Sequence, residues 1–202
     1  MIETNFDFER EFWNRNLLNI AGVDEVGRGA WAGPVVTAAV ILPHNFKNNK
    51  VTDSKKLSIN SRKELAELIK KQAICYSIAE GDNLLIDQIN ILNATKETMS
   101  KSISDLSIKP DGLLIDAVEL NLEIPTESII KGDQKSLSIA AASIIAKVYR
   151  DELMIKFAET YPEYNFQKNK GYGTKEHRVA LNKYGPVRIH RNSFAPVKIA
   201  TL

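Results

Sequence analysis

The chain has a single cysteine, Cys75, among 202 residues, and a lone thiol cannot close an internal disulfide. That excludes a disulfide-stapled secreted scaffold and fits a reducing, cytoplasmic setting. Long apolar runs are also missing. The longest nearly apolar stretch, Ala30–Leu42, has 13 residues and is interrupted by Gly33, Pro34 and Thr37, whereas a helix needs about 20 to cross a bilayer. The first residues, MIETNFDFERE, lack the basic start and apolar core of a secretory leader. The three histidines, His44, His177 and His190, show neither HxH nor HExxH spacing, which disfavours zinc. Internal repeats, low-complexity tracts and long flexible linkers are absent too, so neither a solenoid nor a disordered tether is expected.

What remains is ordinary in bulk and uneven in detail. Hydrophobic residues make up 44% and charged residues 26%, values at which a chain of this length buries one core, with at most a modest appendage. The formal net charge is +2, yet residues 163–202 carry eight basic and two acidic side chains. Residues 1–162 hold the other 19 basic and 23 acidic ones, a net −4. A basic C-terminal stretch beside an acidic body suggests a polyanionic partner with acidic chemistry elsewhere. A merely solvated basic tail is the plain alternative.

The hydrophobic pattern alternates strands with helices. Leu18–Val23 and Pro34–Leu42 are rich in Val and Ile, are separated by a glycine-containing turn, and read as adjacent buried strands. Ser61-Arg62-Lys63-Glu64 fits a capping box, with Leu65, Leu68, Ile69 and Gln72 at helical spacing behind it. Ala73–Ala79 reads as a third strand, and Leu84–Leu106 as a helix broken near Asn90 or Asn93. Gly112–Asp116 and Glu127–Ile130 are short strands, and Ser138–Thr160 is the longest helix. Thr174–Lys183 is a final helix, stopped by Gly185-Pro186. The expected fold is α/β, with a central mixed sheet flanked by helices. The expected division is a catalytic domain over 1–162 and a small, basic helical C-terminal extension over 163–202.

Acids at the ends of these elements carry the chemistry. Asp24 and Glu25 follow the first apolar run, Asp116 ends Leu113-Leu114-Ile115, and Asp133 follows Ile129-Ile130-Lys131-Gly132. Any one of them is an ordinary turn residue. Their shared placement is less ordinary, because ligands of open α/β sheets gather at strand ends. Carboxylates brought together repel one another, and a divalent cation removes that penalty. An all-oxygen donor set suits Mg2+ or Mn2+. Two such ions, about 3.5–4 Å apart, can activate water and stabilise a departing phosphodiester oxygen. Neighbouring strand residues point to opposite faces. For Asp24 and Glu25 to serve one centre, the backbone must therefore leave regular β geometry there, or one residue must bind through its carbonyl. Gly27-Arg28-Gly29 follows them after Val26, and its glycines can take positive φ and let the backbone approach a ligand.

Seven blocks then stand in order along the chain. They are DEVGRGAWAGPVV at Asp24–Val36, DSKKLS at Asp53–Ser58, LIDA at Leu114–Ala117, KGD at Lys131–Asp133, SIAAASIIAKVYRD at Ser138–Asp151, GYGTKEH at Gly171–His177 and HRNSFAPV at His190–Val197. Together they resemble ribonuclease HII, a bacterial type 2 ribonuclease H. The resemblance implies a ribonuclease H-like fold. It also implies endonucleolytic cleavage of the RNA strand of RNA–DNA hybrids and at single ribonucleotides embedded in duplex DNA, leaving 3′-hydroxyl and 5′-phosphate ends. Such an activity belongs to ribonucleotide excision, DNA repair and replication. By residue matching, Asp24, Glu25, Asp116 and Asp133 are the expected catalytic, metal-binding carboxylates, with two Mg2+ or Mn2+ ions as cofactors. Gly27, Arg28 and Gly29 match a backbone clamp on the ribose 2′-hydroxyl, and Tyr172 matches a tyrosine that senses the RNA–DNA junction. Taken without the resemblance, Tyr172 reads as a core tyrosine in a glycine turn.

Lys55 and Lys56 are candidate phosphate contacts ahead of a helix. Lys147 and Arg150 lie on the long helix, where Arg150 has Asp151 or Glu152 as a local partner. Asp151 ranks below Asp133 as a ligand, and His177 reads as structural before it reads as a substrate contact. The basic C-terminal residues are expected to grip the hybrid, and Pro196–Leu202 is either a tail or a docking segment. A cytoplasmic monomer with no membrane contact is expected. The competing readings are a ribonuclease HIII-like nuclease, for which the 23 residues before Asp24 leave little room for an extra domain, a non-catalytic nucleic-acid-binding module, and a DNA-junction nuclease of related fold.

Overall fold

The computed structural model describes residues 4–48, 50–51 and 58–200. Five strands form one sheet in the order β3-β2-β1-β4-β5. They are β1 (Ile20–Val26), β2 (Val35–Ile41), β3 (Cys75–Gly81), β4 (Gly112–Asp116) and β5 (Thr126–Ile129). β2 runs antiparallel to both β1 and β3, while β1, β4 and β5 are parallel. The sheet is therefore mixed, as the sequence pattern predicts.

Seven α-helices accompany it among the described residues: α1 (Asp7–Trp13), α2 (Ile59–Gln72), α3 (Asn83–Ser104), α4 (Leu137–Thr160), α5 (Phe166–Asn169), α6 (Lys175–Tyr184) and α7 (Ala195–Ala200). β2 explains the layering. Its side chains alternate, with Val36, Ala38 and Val40 packing against α2 and α4, and Ala39 and Ile41 packing against α3. Both faces are covered, so all seven residues of β2 are buried and the strand reads as a continuous apolar run. Fully burying each Val or Ile there contributes roughly 1.5–3 kcal/mol relative to exposure.

Helix α4 reaches the sheet more closely than the others. A Cβ on Gly22 would lie 2.1 Å from the main-chain carbon of Ser138, so only glycine lets the start of α4 lie on β1 at this point. The buried run Ala140-Ala141-Ala142 continues that close contact. The helix is capped by Ser136, whose Oγ accepts from the amide of Ile139. The buried carboxylate of Glu9, on α1, accepts from Ser136 Oγ at 2.7 Å and from the Ser138 amide at 2.9 Å. An acid at a helix N-terminus is favoured by the helix dipole, which ties α1 to the start of α4.

Two features, the start of α2 and the helix after α6, differ from the sequence expectation, and the expected break in α3 is narrowed to one residue. Helix α2 is capped by Ser58, which accepts from the amide of Ser61, so it begins three residues before the proposed box. The break in α3 falls at Asn90, with φ +66, and Asn90 Oδ1 accepts from the amides of Leu92 and Asn93 to restart the helix. α6 is not the last helix, because α7 follows it and Val197 packs into a cluster with Tyr164, Phe166, Leu181 and Trp31.

Candidate active site

β1 and β4 lie side by side and parallel, and their pairing ends at Val23 and Ile115. The next residues of each strand are Asp24 and Asp116, so two carboxylates stand at the C-terminal ends of adjacent parallel strands. Asp24, Glu25, Val26, Asp116, Ser143, Lys147 and Tyr172 line one pocket of about 400 Å3. Asp24 and Glu25 stay within regular β1 pairing, opposite Ala38 and Thr37. The anticipated break in the backbone is not seen there; both residues nonetheless border the pocket. The amide of Glu25 donates to Asp24 Oδ1 at 2.7 Å.

Electrostatics within this pocket are strained in one direction. Asp24 is almost fully buried. Burial raises its carboxyl well above the usual range, and Glu25 and Asp116 raise it further, against a lowering hydrogen bond from Ser143. Glu25 is also raised by burial, with Arg28 opposing and Asp116 adding to the shift. Arg28 Nη1 stands 3.4 Å from Glu25 Oε1, while the buried Glu25 Oε2 has no hydrogen-bond partner.

Asp133 sits in the turn Gly132–Gln134 directly after β5 and is buried. The preceding amide, of Gly132, donates to Asp116 Oδ1 at 2.7 Å. This bond ties the Asp133 turn to Asp116, although Asp133 itself is not among the pocket-lining residues. Among the described residues, no three His, Cys, Asp or Glu side chains are grouped so as to hold a metal ion. The donor chemistry still fits a divalent cation. Three carboxylates share a pocket, two of them are held above their ordinary pKa partly by neighbouring carboxylate charge, and one oxygen is orphaned.

The loop after β1 is held from below. Gly27 has φ +96, as expected of a glycine beside Arg28. Gly29 lies outside the positive-φ region, which corrects the expectation for that residue. Arg191 is fully buried and donates to the carbonyl oxygens of Gly27 at 2.7 Å, Arg28 at 2.8 Å and Gly33 at 2.9 and 3.0 Å. It is therefore withdrawn from any grip on a hybrid. Arg150 is buried too, and donates to the carbonyls of Pro34, Lys170 and Ala32. It does not pair with Asp151 or Glu152. Asp151 holds Lys147 at 2.7 Å and Arg62 at 3.6 Å, and Glu152 holds Lys63.

Tyr172 is half-buried, pairs with Ala30 through an isolated bridge and borders the pocket, so it is not a core tyrosine. The Arg150 guanidinium lies 5.4 Å from its ring centroid, a cation–π distance. His177 is fully buried beside Trp31, Tyr164, Phe166 and His190, which makes it structural. Lys55 and Lys56 lie outside the described residues. Ser143 and Arg191 escaped the sequence reading as site residues. The i, i+4 spacing of Ser143 and Lys147 is the signal that puts both on one face of α4.

A family model described as Ribonuclease HII matches residues 21–197. The chain belongs to the ribonuclease HII family. It is 55% identical over 195 residues to a ribonuclease HII of Lactobacillus gasseri, covering 96% of this chain and 78% of that one. It is 56% identical over 191 residues to that of Bacillus subtilis, covering 95% and 75%. The crystal structure of ribonuclease H2 from Pyrococcus horikoshii superposes with a TM-score of 0.79 at 25% identity, covering 90% of this chain and 96% of that one. The fold is thus ribonuclease H-like, and the protein is a ribonuclease H hydrolase acting on RNA–DNA hybrids. No helix among the described residues is long and apolar enough to cross a membrane.

Proposed function

We propose that this enzyme cuts phosphodiester bonds endonucleolytically, both within the RNA strand of hybrids and at single ribonucleotides embedded in duplex DNA. The observation that carries this reading is the pocket itself. Asp24, Glu25 and Asp116 line it together with Tyr172, so acids suited to phosphoryl chemistry lie beside an aromatic ring suited to packing on a sugar.

Asp24, Glu25, Asp116 and Asp133 would hold two divalent cations, Mg2+ or Mn2+. When bound, these supply Lewis-acid activation of water and stabilisation of the leaving oxygen, giving 3′-hydroxyl and 5′-phosphate ends. The protein's own residues do the rest. Glu25 Oε2, buried and unpartnered, is available as a donor to a cation, and Ser143 orients the Asp24 carboxylate. Lys147 borders the same pocket and is held in place by Asp151 at 2.7 Å, which suits it to a flanking phosphate. The Gly27-Arg28-Gly29 amides would meet the ribose 2′-hydroxyl, the group that distinguishes RNA from DNA. Tyr172 would pack on the following deoxyribose, where a 2′-hydroxyl is less welcome. The basic segment 163–202 serves as the substrate-binding extension of a catalytic domain over 1–162. The enzyme acts as a cytoplasmic monomer in ribonucleotide excision, during replication and repair.

Matched duplexes with no ribonucleotide, one ribonucleotide or an RNA tract test this reading. Cleavage of the last two, dependent on Mg2+ or Mn2+, with little of the first, is the expected outcome. Cutting that survives a chelator, or that treats all three alike, refutes it.

A further inference from the structure

The two halves of the proposed ribose reader, the Gly27–Gly29 loop and Tyr172, are separated by more than 140 residues in the chain, and one dipeptide is linked to both, directly to the loop and through His177 to Tyr172. We propose that His190 and Arg191 are positioning residues that set ribose selectivity by fixing the Gly27–Gly29 loop relative to Tyr172. The inference rests on the reading of those two elements given above.

Arg191 acts on the loop. Its fork grips the carbonyls of Gly27, Arg28 and Gly33. Across a trans peptide the carbonyl of one residue and the amide of the next point in opposite directions. Turning the Gly27 and Arg28 carbonyls inward therefore turns the Arg28 and Gly29 amides away from Arg191, as a clamp on a sugar hydroxyl requires. The backbone of the dipeptide adds to the hold. The Arg191 amide donates to the Trp31 carbonyl, and Ala32 pairs with His190.

His190 acts on Tyr172 through His177. The Tyr172 carbonyl lies 3.0 Å from His177 Nδ1, and a carbonyl only accepts, so His177 carries its proton on Nδ1. Its Nε2 is then an acceptor, and His190 Nε2, 3.0 Å away, must be the donor. That leaves His190 Nδ1 as an acceptor for the Val187 amide at 2.9 Å, shorter than its 3.2 Å approach to the Val187 carbonyl. The four groups make one consistent chain in which both imidazoles are neutral, and both are fully buried. Trp31 and Ala32 hold the same turn from the other side, since their amides donate to the carbonyl of Gly171, the residue before Tyr172.

The decisive measurement is a ratio, the rate on a single-ribonucleotide duplex divided by the rate on an RNA-tract hybrid, taken with one enzyme preparation. A variant that is only partly folded loses both rates equally and leaves the ratio alone. His190→Gln and Arg191→Lys are each expected to lower the ratio about tenfold, the scale of a small misplacement of binding groups, as is Tyr172→Ala. Adding His190→Gln to Tyr172→Ala should lower it no further. If both positioning variants lose the two rates in parallel while Tyr172→Ala still shifts the ratio, the brace is refuted and the Tyr172 reading survives. If Tyr172→Ala leaves the ratio unchanged, both fall. Should Arg191→Lys fail to fold, His190→Gln alone decides. Nitrogen NMR of the wild-type imidazoles gives an independent readout. Nδ1-protonated His177 with Nε2-protonated His190 supports the chain, and any other pair of tautomers overturns it.

Discussion

A Cβ atom placed on Gly27 would lie 2.2 Å from Nε of Arg150, a guanidinium that is itself fully buried and bound to three main-chain carbonyls. Neither partner can give way cheaply. Gly27 also has φ +96, a backbone state that costs a side-chain-bearing residue about 1–3 kcal/mol.

The nearby Gly29 has none of these constraints. A Cβ on Gly29 meets nothing within 4 Å, so the fold does not require glycine there. Gly27→Ala should therefore lower Tm by several degrees, at about 2–4 °C per kcal/mol for a chain of this size. Gly29→Ala should melt like the wild type and still slow cleavage at a ribonucleotide, because its methyl group would stand between the backbone and the sugar. Thermal unfolding and cleavage rates on the same two variants check this. A Gly29→Ala enzyme with undiminished cleavage would remove the loop from the ribose contact.

Asp24 is a case where function opposes stability. Burial, Glu25 and Asp116 all disfavour its charge. Asp24→Asn removes that charge while keeping the shape, and so relieves the burial and the repulsion that disfavour the ionised carboxyl, each pKa unit of which is worth about 1.4 kcal/mol. With chelator present, Asp24→Asn should unfold at a higher temperature than the wild type. Mn2+ should raise the Tm of the wild type and have little effect on the variant. Turnover should fall by at least about a hundredfold, the loss typical of removing a group that stabilises transition-state charge, with hybrid binding nearly unchanged. A variant that loses binding and turnover together would make Asp24 structural.

Much of this architecture is legible in the sequence, for identifiable reasons. Gly112–Asp116 has clear bounds because an apolar run ends on an acid, and the α3 break is visible because Asn tolerates positive φ. Asp24, Glu25 and Asp116 stand out because a buried apolar run that closes on a charge must bring that charge to water or to a ligand. Arg150 and Arg191 do not stand out, because their partners are main-chain carbonyls, which leave no mark in the pattern of side chains. The same holds for the His177–His190 pair, joined only by tertiary packing. Helix α1 escapes the pattern because its seven residues are too few to show a period, and its stability comes from Phe12 packing on Ile20 and Leu114 and from Glu9 at the start of α4.

The basic residues of the C-terminal segment differ in exposure, with Lys170 half-buried between the extremes. Lys168, Lys175, Arg178, Lys183, Arg188 and Lys198 are exposed, whereas Arg191 is buried. Arg178 lies over the Trp31 ring at 5.3 Å, and a Cβ on Gly173 would lie 2.1 Å from that same ring, which puts Arg178 near the Tyr172 turn. Hybrid affinity should fall linearly on a log–log plot against salt. Arg178→Gln should reduce the slope by about one, the effect of one lost phosphate contact, and weaken hybrid and plain duplex alike. An unchanged slope would place the nucleic acid away from α6.

Acid should loosen the fold through the buried imidazole pair, and the sign follows from burial. Desolvation, reinforced by the neighbouring His177, pushes the His190 imidazole from about 6.5 down to about 4, and His177 is lowered as well, chiefly by burial. Between those two values the unfolded chain takes up a proton that the folded protein refuses, so stability rises with pH across this window. The contribution is complete above about pH 6.5 and is lost as pH falls towards 4, by at most about 3 kcal/mol for His190. Asp24 and Glu25 are raised and work in the opposite sense, since the folded state holds their protons longer. A single wild-type curve would mix the two effects. The difference between wild type and His190→Gln separates them, because the carboxylates are common to both. Urea unfolding between about pH 7 and pH 4 should show the wild-type advantage shrinking as acid is added, with most of the loss below about pH 6. A difference that stays constant over that range would mean that His190 takes up its proton inside the fold as readily as outside it, which the Val187 amide pointed at Nδ1 does not permit.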